Sequence, residues 1–126
     1  MRVLIVGGAG YIGSIMNRLL LERGYYTTVI DDLSTGHRSS LSKETQFIEG
    51  NIADSGLLKE TLQSSKIDMV MHFAAFALVG ESMKNPAAYY ENNVVNTLAL
   101  LKAMKATGVK YFIFSSSAAV YGEPQN

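Results

Sequence analysis

Short apolar runs alternate along the chain with longer stretches in which apolar residues recur at helical spacing. Val3–Val6 is a continuous apolar run closed by glycines, the pattern of a strand buried on both faces. From Tyr11 to Arg23 the residues Ile12, Ile15, Met16, Leu19 and Leu20 fall on one stripe, which predicts an amphipathic helix stopped by Gly24. Tyr26–Ile30 is aromatic and β-branched, suiting a second strand. Asp32–Ser42 is rich in Ser, Thr and Gly and reads as a loop. Gln46–Glu49 predicts a third strand, and Asp54 is placed to cap a helix to about Ser64 that packs through Leu57, Leu58 and Leu62. Met69–Phe73 is a fourth strand. Pro86 suits the first turn of a helix to about Thr107, ended by Gly108, and Tyr111–Phe114 is a fifth strand.

Strands alternating with helices in this way predict the α/β class, a Rossmann-type doubly wound parallel sheet covered on both faces. Right-handed crossovers leave few topologies, and five strands whose first carries a nucleotide-type turn favour the order 3-2-1-4-5. No internal repeat, low-complexity tract or linker divides the 126 residues, so the whole chain reads as one domain.

Composition narrows the function. With 11 Lys+Arg against 11 Asp+Glu, the chain has no long-range attraction for nucleic acid or an anionic membrane. The absence of Cys removes disulfides and thiolate metal sites and suits a reducing, cytoplasmic setting. His37 and His72 lack ligand spacing, so no metal site is expected. The apolar start is interrupted by glycines too early for a leader, and no run reaches membrane-spanning length, so a mature soluble chain is expected.

The strongest chemical signal is Gly7-Gly8-Ala9-Gly10-Tyr11-Ile12-Gly13, directly after a predicted strand and opening a predicted helix. Glycines there allow positive φ and close approach of a pyrophosphate to backbone, while the helix start offers free N–H groups. Asp31 ends the second strand 18 residues after Gly13, where a carboxylate accepts the ribose hydroxyls and repels a 2′-phosphate, favouring NAD over NADP. Asp32 either assists or faces water, and Arg38 reads as a solvated loop residue. Asn51 and Ile52 after strand three, and Phe73, Ala74 and Ala75 after strand four, fall at the carboxyl ends where such sheets bind ligands. Ser115, Ser116 and Ser117 follow strand five, and hydroxyls at a buried strand end cap, turn or bind. His72 reads as a core histidine, and Tyr89 and Tyr90 as packing or interface residues. Of Asn92 and Asn93, poor helix formers in mid-helix, one is expected to face the crevice.

Taken together, the motifs Gly7–Ser14 (GGAGYIGS), Asp31, His72–Ser82 (HFAAFALVGES), Tyr89–Val94 (YYENNV) and Phe112–Gly122 (FIFSSSAAVYG) resemble the UDP-glucose 4-epimerases of the extended short-chain dehydrogenase/reductase superfamily. They run in order over nearly the whole chain. Related 4,6-dehydratases carry Ser-Thr-Asp-x-Val-Tyr-Gly where this sequence has Ser115–Gly122 without that Asp. The resemblance implies an NAD-dependent isomerase that removes hydride from C4 of a UDP-hexose and returns it to the other face of the 4-keto sugar. It implies that Ser117 hydrogen-bonds the C4 hydroxyl. It further implies that Tyr11, Ile12, Asp31, Asp32, Asn51, Ile52, Phe73, Ala74, Ala75, Asn92 and Ser115 line the cofactor, alongside Gly7, Gly10 and Gly13 of the turn. The alternatives are another reductase or dehydratase of nucleotide sugars, and a non-catalytic nucleotide-binding module.

Three positions depart from the family pattern: Asn51 replaces a usual Asp, Ala77 a common Lys, and Ala119 a common Thr. The family's Tyr-x-x-x-Lys proton-transfer pair is expected beyond Asn126, as are the sixth strand and the domain that binds the UDP-sugar. Residues 1–126 are therefore expected to form an incomplete NAD-binding domain, inactive alone yet able to hold NAD. The fifth strand is expected to present an apolar edge that drives self-association, or else the residues after Ser117 are expected to be disordered.

Overall fold

A computed structural model describes residues 1–122. Its elements are β1 (Arg2–Val6), α1 (Tyr11–Glu22), β2 (Tyr26–Asp31), β3 (Gln46–Glu49), α2 (Ser55–Ser64), β4 (Met69–His72), α3 (Val79–Lys84), α4 (Pro86–Tyr90), a π-helical turn (Glu91–Val95), α5 (Asn96–Thr107) and β5 (Tyr111–Phe114). Short 3₁₀ turns cover Arg38–Ser40 and Ala118–Tyr121. The strands form one parallel sheet in the order β3-β2-β1-β4-β5, the doubly wound order expected from the alternating pattern.

Alternation along the central strands sends side chains to two separate cores. Leu4, Val6, Ile30 and Val70 face α2 and α5, where they pack on Leu58, Leu62, Leu100, Ala103 and Met104. Val3, Ile5, Val29 and Met71 face α1, where they meet Leu20 and Ala9. Val3, Leu4, Ile5 and Val6 are each no more than 1 % exposed, which explains why β1 reads as an unbroken apolar run. On the α1 side this cover stops short of β5, leaving Tyr111 and Ile113 62 % and 45 % exposed.

Helix ends follow the sequence signals. Gly24 takes φ +78°, and Tyr25 N–H closes α1 on Leu20 C=O at 3.0 Å. The Asp54 side chain accepts from Gly56 and Leu57 N–H, fixing the start of α2. Gly108, at φ +80°, ends α5.

Two expectations are corrected. The helix from Pro86 to Thr107 is not one α-helix, because Glu91–Val95 winds as a π turn that accommodates an extra residue between α4 and α5. The Asp32–Ser42 loop contains a 3₁₀ turn, on which the Arg38 guanidinium lies 4.8 Å from the centroid of the Phe47 ring. After Ser117 the chain forms the second 3₁₀ turn, with the Ser117 side chain accepting from Ala119 N–H at its head, and the rest of the segment expected to be disordered, residues 123–126, lies outside the described residues.

Candidate functional site

At the carboxyl ends of β1, β2, β3 and β4 lies an open crevice of about 590 Å³, part of it solvent. Its floor is the glycine turn. Gly7 N–H donates to Ile30 C=O at 2.9 Å, so the turn starts as a continuation of the sheet. Gly7 has φ +76°, and a Cβ there would lie 2.6 Å from the Ala74 backbone nitrogen, so the two walls can close together only over glycine. Beneath them Gly13 is buried, and a Cβ on it would overlap the Gly7 carbonyl. No side chain caps α1, and its first backbone bond runs from Ser14 N–H to Gly10 C=O. The N–H groups of Tyr11, Ile12 and Gly13 are the ends of the helix dipole available to an anion.

The β2 side carries two carboxylates in different settings. Asp31 is half-buried; its Oδ2 accepts from Ala9 N–H and its Oδ1 from Leu33 N–H, both at 2.9 Å. It therefore pins the glycine turn while keeping further lone pairs for a ligand. Asp32 is exposed. Its Oδ1 accepts from Ser34 N–H at 3.0 Å and its Oδ2 from Asn51 Nδ2 at 2.8 Å, and Asn51 Oδ1 in turn accepts from Ala53 N–H at 2.8 Å. Partial burial pushes the Asp32 pKa up, but the bonds from Ser34 and Asn51 outweigh it and hold the carboxyl below its ordinary 3.8. Behind them the loop folds over the turn, with His37 N–H on Ala9 C=O at 3.1 Å.

The opposite wall is Phe73–Phe76. Phe73 N–H donates to Val6 C=O at 2.8 Å, extending the β1–β4 ladder. Farther along, Asn93 grips Phe76 twice: Phe76 N–H donates to Asn93 Oδ1 at 2.8 Å, and Asn93 Nδ2 donates to Phe76 C=O at 2.9 Å. Asn92, beside it on the π turn, lines the crevice and donates to Asn93 Oδ1 at 3.0 Å. The Phe76 ring packs on Tyr89, with centroids 5.4 Å apart, and the Tyr89 hydroxyl reaches the Leu78 backbone and Glu81.

His72 is 2 % exposed below this wall. The Thr97 hydroxyl donates to Asn93 C=O at 2.9 Å, so at the 3.0 Å contact with Thr97 the His72 Nε2 must be the donor. That leaves Nδ1 buried and without a partner among the described residues. Burial lowers the His72 pKa to about 4, so the ring is neutral and structural rather than catalytic at neutral pH.

Of the residues singled out by sequence, Gly7, Gly10, Asp31, Asp32, Asn51, Ile52, Phe73, Ala74, Ala75 and Asn92 line the one crevice. Tyr11 and Ile12 do not: their side chains are 84 % and 56 % exposed, and only their backbone belongs to the helix start. Gly13 serves packing between turn and helix. Ser115 and Ser117 are exposed at the end of β5, outside the crevice lining, although Ser115 N–H ties to His72 C=O at 3.1 Å. Val6, Ile30 and Gly50 at the strand ends complete the lining with Ser34, Thr35 and Phe76, which were not named as site residues. A polar loop directly after Asp32 was the available signal for Ser34 and Thr35; Phe76 is marked only as a member of the His72–Ser82 motif. Among the described residues no cluster of His, Cys, Asp or Glu could hold a metal ion, and no helix is long and apolar enough to cross a membrane.

A glycine turn beneath an uncapped helix, faced by a carboxylate at the end of β2, defines a dinucleotide-fold protein. More particularly, the chain belongs to the NAD dependent epimerase/dehydratase family, whose sequence pattern matches residues 3–126. It is 50 % identical over 125 residues to a UDP-glucose 4-epimerase of Lactobacillus helveticus, covering 99 % of this chain and 38 % of that protein. The crystal structure of UDP-glucose 4-epimerase from Brucella ovis in complex with NAD superposes with a TM-score of 0.91 at 49 % identity, over 99 % of this chain and 38 % of that one. The enzyme from Bifidobacterium longum in complex with NAD⁺ and UDP gives 0.91 at 38 % identity, over 100 % and 40 %. The chain thus spans well under half the length of these relatives.

Proposed function

We propose that the crevice binds the adenosine and pyrophosphate portion of NAD, and that residues 1–126 form the cofactor-binding part of an enzyme that interconverts UDP-glucose and UDP-galactose, without turnover of their own. The observation that carries this reading is the juxtaposition of the Gly7 cradle, the free N–H groups of α1 and the Asp31 carboxylate in one crevice, in a chain whose solved relatives hold NAD. The residues present fit the cofactor. The absent Cβ at Gly7 lets the turn close against Ala74, the start of α1 offers N–H donors to pyrophosphate oxygens, and Asp31 retains lone pairs for ribose hydroxyls. When bound, NAD supplies the hydride acceptor and donor for chemistry at sugar C4. The residues of this chain bind and orient: Asp31 holds the ribose, Ala74 and Ala75 allow close approach, and Asn92 reaches in from the π turn.

Ser117 is assigned to the sugar C4 hydroxyl. Its Oγ accepts from Ala119 N–H, which leaves the hydroxyl proton free to donate. The proton acceptor and the UDP-sugar domain are assigned to a Tyr-x-x-x-Lys pair and a domain outside residues 1–126. Calorimetric titration of the purified chain with NAD, beside an assay of UDP-galactose conversion, tests this reading. Saturable NAD binding without turnover is expected. No binding would overturn the cofactor assignment, and turnover by these residues alone would overturn the assignment of the proton acceptor.

A further inference from the structure

Asn51 occupies a position where the family pattern has a carboxylate, and in this chain it faces one. Its Nδ2 donates to Asp32 Oδ2 at 2.8 Å, while its Oδ1 is held by Ala53 N–H at 2.8 Å. The contact joins the loop after β2 to the loop after β3 across the rim of the crevice, and both residues line it. The donor and acceptor cannot be exchanged at one end alone. A carboxylate at position 51 would set two negative charges within hydrogen-bond distance, and unit charges that close repel appreciably even in a well-screened setting. Asp31 differs from Asp32 in role. It is half-buried and already accepts two backbone N–H groups, so part of its charge is committed to holding the glycine turn. Asp32 is the more exposed carboxylate, met first by an anion arriving from solvent.

Resting on the NAD reading above, we propose that Asp32 and Asn51 act as one specificity unit, in which the carboxamide fixes a second negative charge beside Asp31 so that a ribose 2′-phosphate is excluded. The departure at position 51 is then one half of a matched pair rather than a loss. Asp32 and Asn51 are positioning and binding residues and touch no reacting atom.

The test is a cycle of four proteins: wild type, Asp32→Asn, Asn51→Asp and the exchange Asp32→Asn with Asn51→Asp. Each is titrated with NAD and NADP and melted without ligand. Asp32→Asn is expected to narrow the preference for NAD over NADP about tenfold while moving NAD affinity less than about threefold. Asn51→Asp is expected to weaken NAD about tenfold and to lower the melting temperature, and the exchange to recover both. An unchanged NAD/NADP ratio in Asp32→Asn, or additive effects in the exchange, overturns the proposal. If the wild type binds neither dinucleotide, the NAD reading fails, and with it the 2′-phosphate role. The ligand-free melts then still decide whether the two residues are coupled.

Discussion

The carboxamide of Asn93 satisfies both backbone polar atoms of Phe76, accepting from its N–H at 2.8 Å and donating to its C=O at 2.9 Å. The side chain does for this segment what a neighbouring strand does inside a sheet. It also explains how a wall seventeen residues away in sequence is tied to the π turn. Replacing Asn93 with Leu removes both bonds and is expected to cost about 1–3 kcal/mol. Faster hydrogen exchange at the Phe76 amide, together with weaker NAD binding, checks it. Unchanged exchange there would show that the wall is held by other contacts.

His72 makes stability depend on pH in a defined direction. Its folded-state pKa of about 4 lies below the ordinary 6.5, so between those values the unfolded chain binds more protons than the folded one. The contribution is fully present above pH 6.5 and is lost as pH falls toward 4. The loss is on the order of 3 kcal/mol. His72→Phe, which keeps an aromatic ring against Phe112 and Phe114, is expected to flatten the urea-midpoint profile over that window. A profile as steep as wild type would assign the effect to other groups.

Two glycines with nearly the same φ separate strain from steric overlap. Gly24→Ala places a Cβ in open space at φ +78°, so only the left-handed backbone cost of about 1–2 kcal/mol applies. Gly7→Ala adds an overlap with the Ala74 backbone at φ +76°. It is expected to destabilise by clearly more than Gly24→Ala and to abolish NAD binding, whereas Gly24→Ala leaves binding intact. Thermal melts and calorimetry on the pair distinguish them.

The edge strand β5, with its uncovered Tyr111 and Ile113, is expected to drive self-association of the 126-residue chain. Ile113→Lys is expected to shift the chain toward monomer in sedimentation. A wild-type monomer at tens of micromolar would contradict this.

The sheet was readable because β1, β4 and β5 are apolar runs and β2 is aromatic and β-branched, and because Asp54, Gly24 and Gly108 mark helix ends chemically. α3 escaped for the opposite reason: none of its six residues is buried, so Val79–Lys84 carries no periodic signal. The π turn escaped because one extra residue alters hydrogen bonding without altering composition. In the crevice, Gly7, Gly10 and Asp31 were readable from a local motif. Phe76 was not, because its place is set by Asn93 on a different element. The side chains of Tyr11 and Ile12 lie outside the crevice lining, and what these residues present at the start of α1 is backbone N–H, which the sequence does not separate from side chain.

The strand order has a consequence for how the chain is made. β1 leaves the ribosome first, yet it is the middle of the sheet, and its two partners begin 24 and 66 positions later in register, at Tyr26 and Met69. At synthesis rates of about 5–20 residues/s the second partner emerges roughly 3–13 s after the first strand. During that interval the most apolar segment of the protein has one edge open, and parallel pairing gives it no local hairpin to hide in. Val3–Val6 is therefore the segment longest exposed to non-native pairing before the sheet closes. Slowing translation between Thr45 and Met69 should reduce the yield of folded protein more than the same pause placed after Phe114.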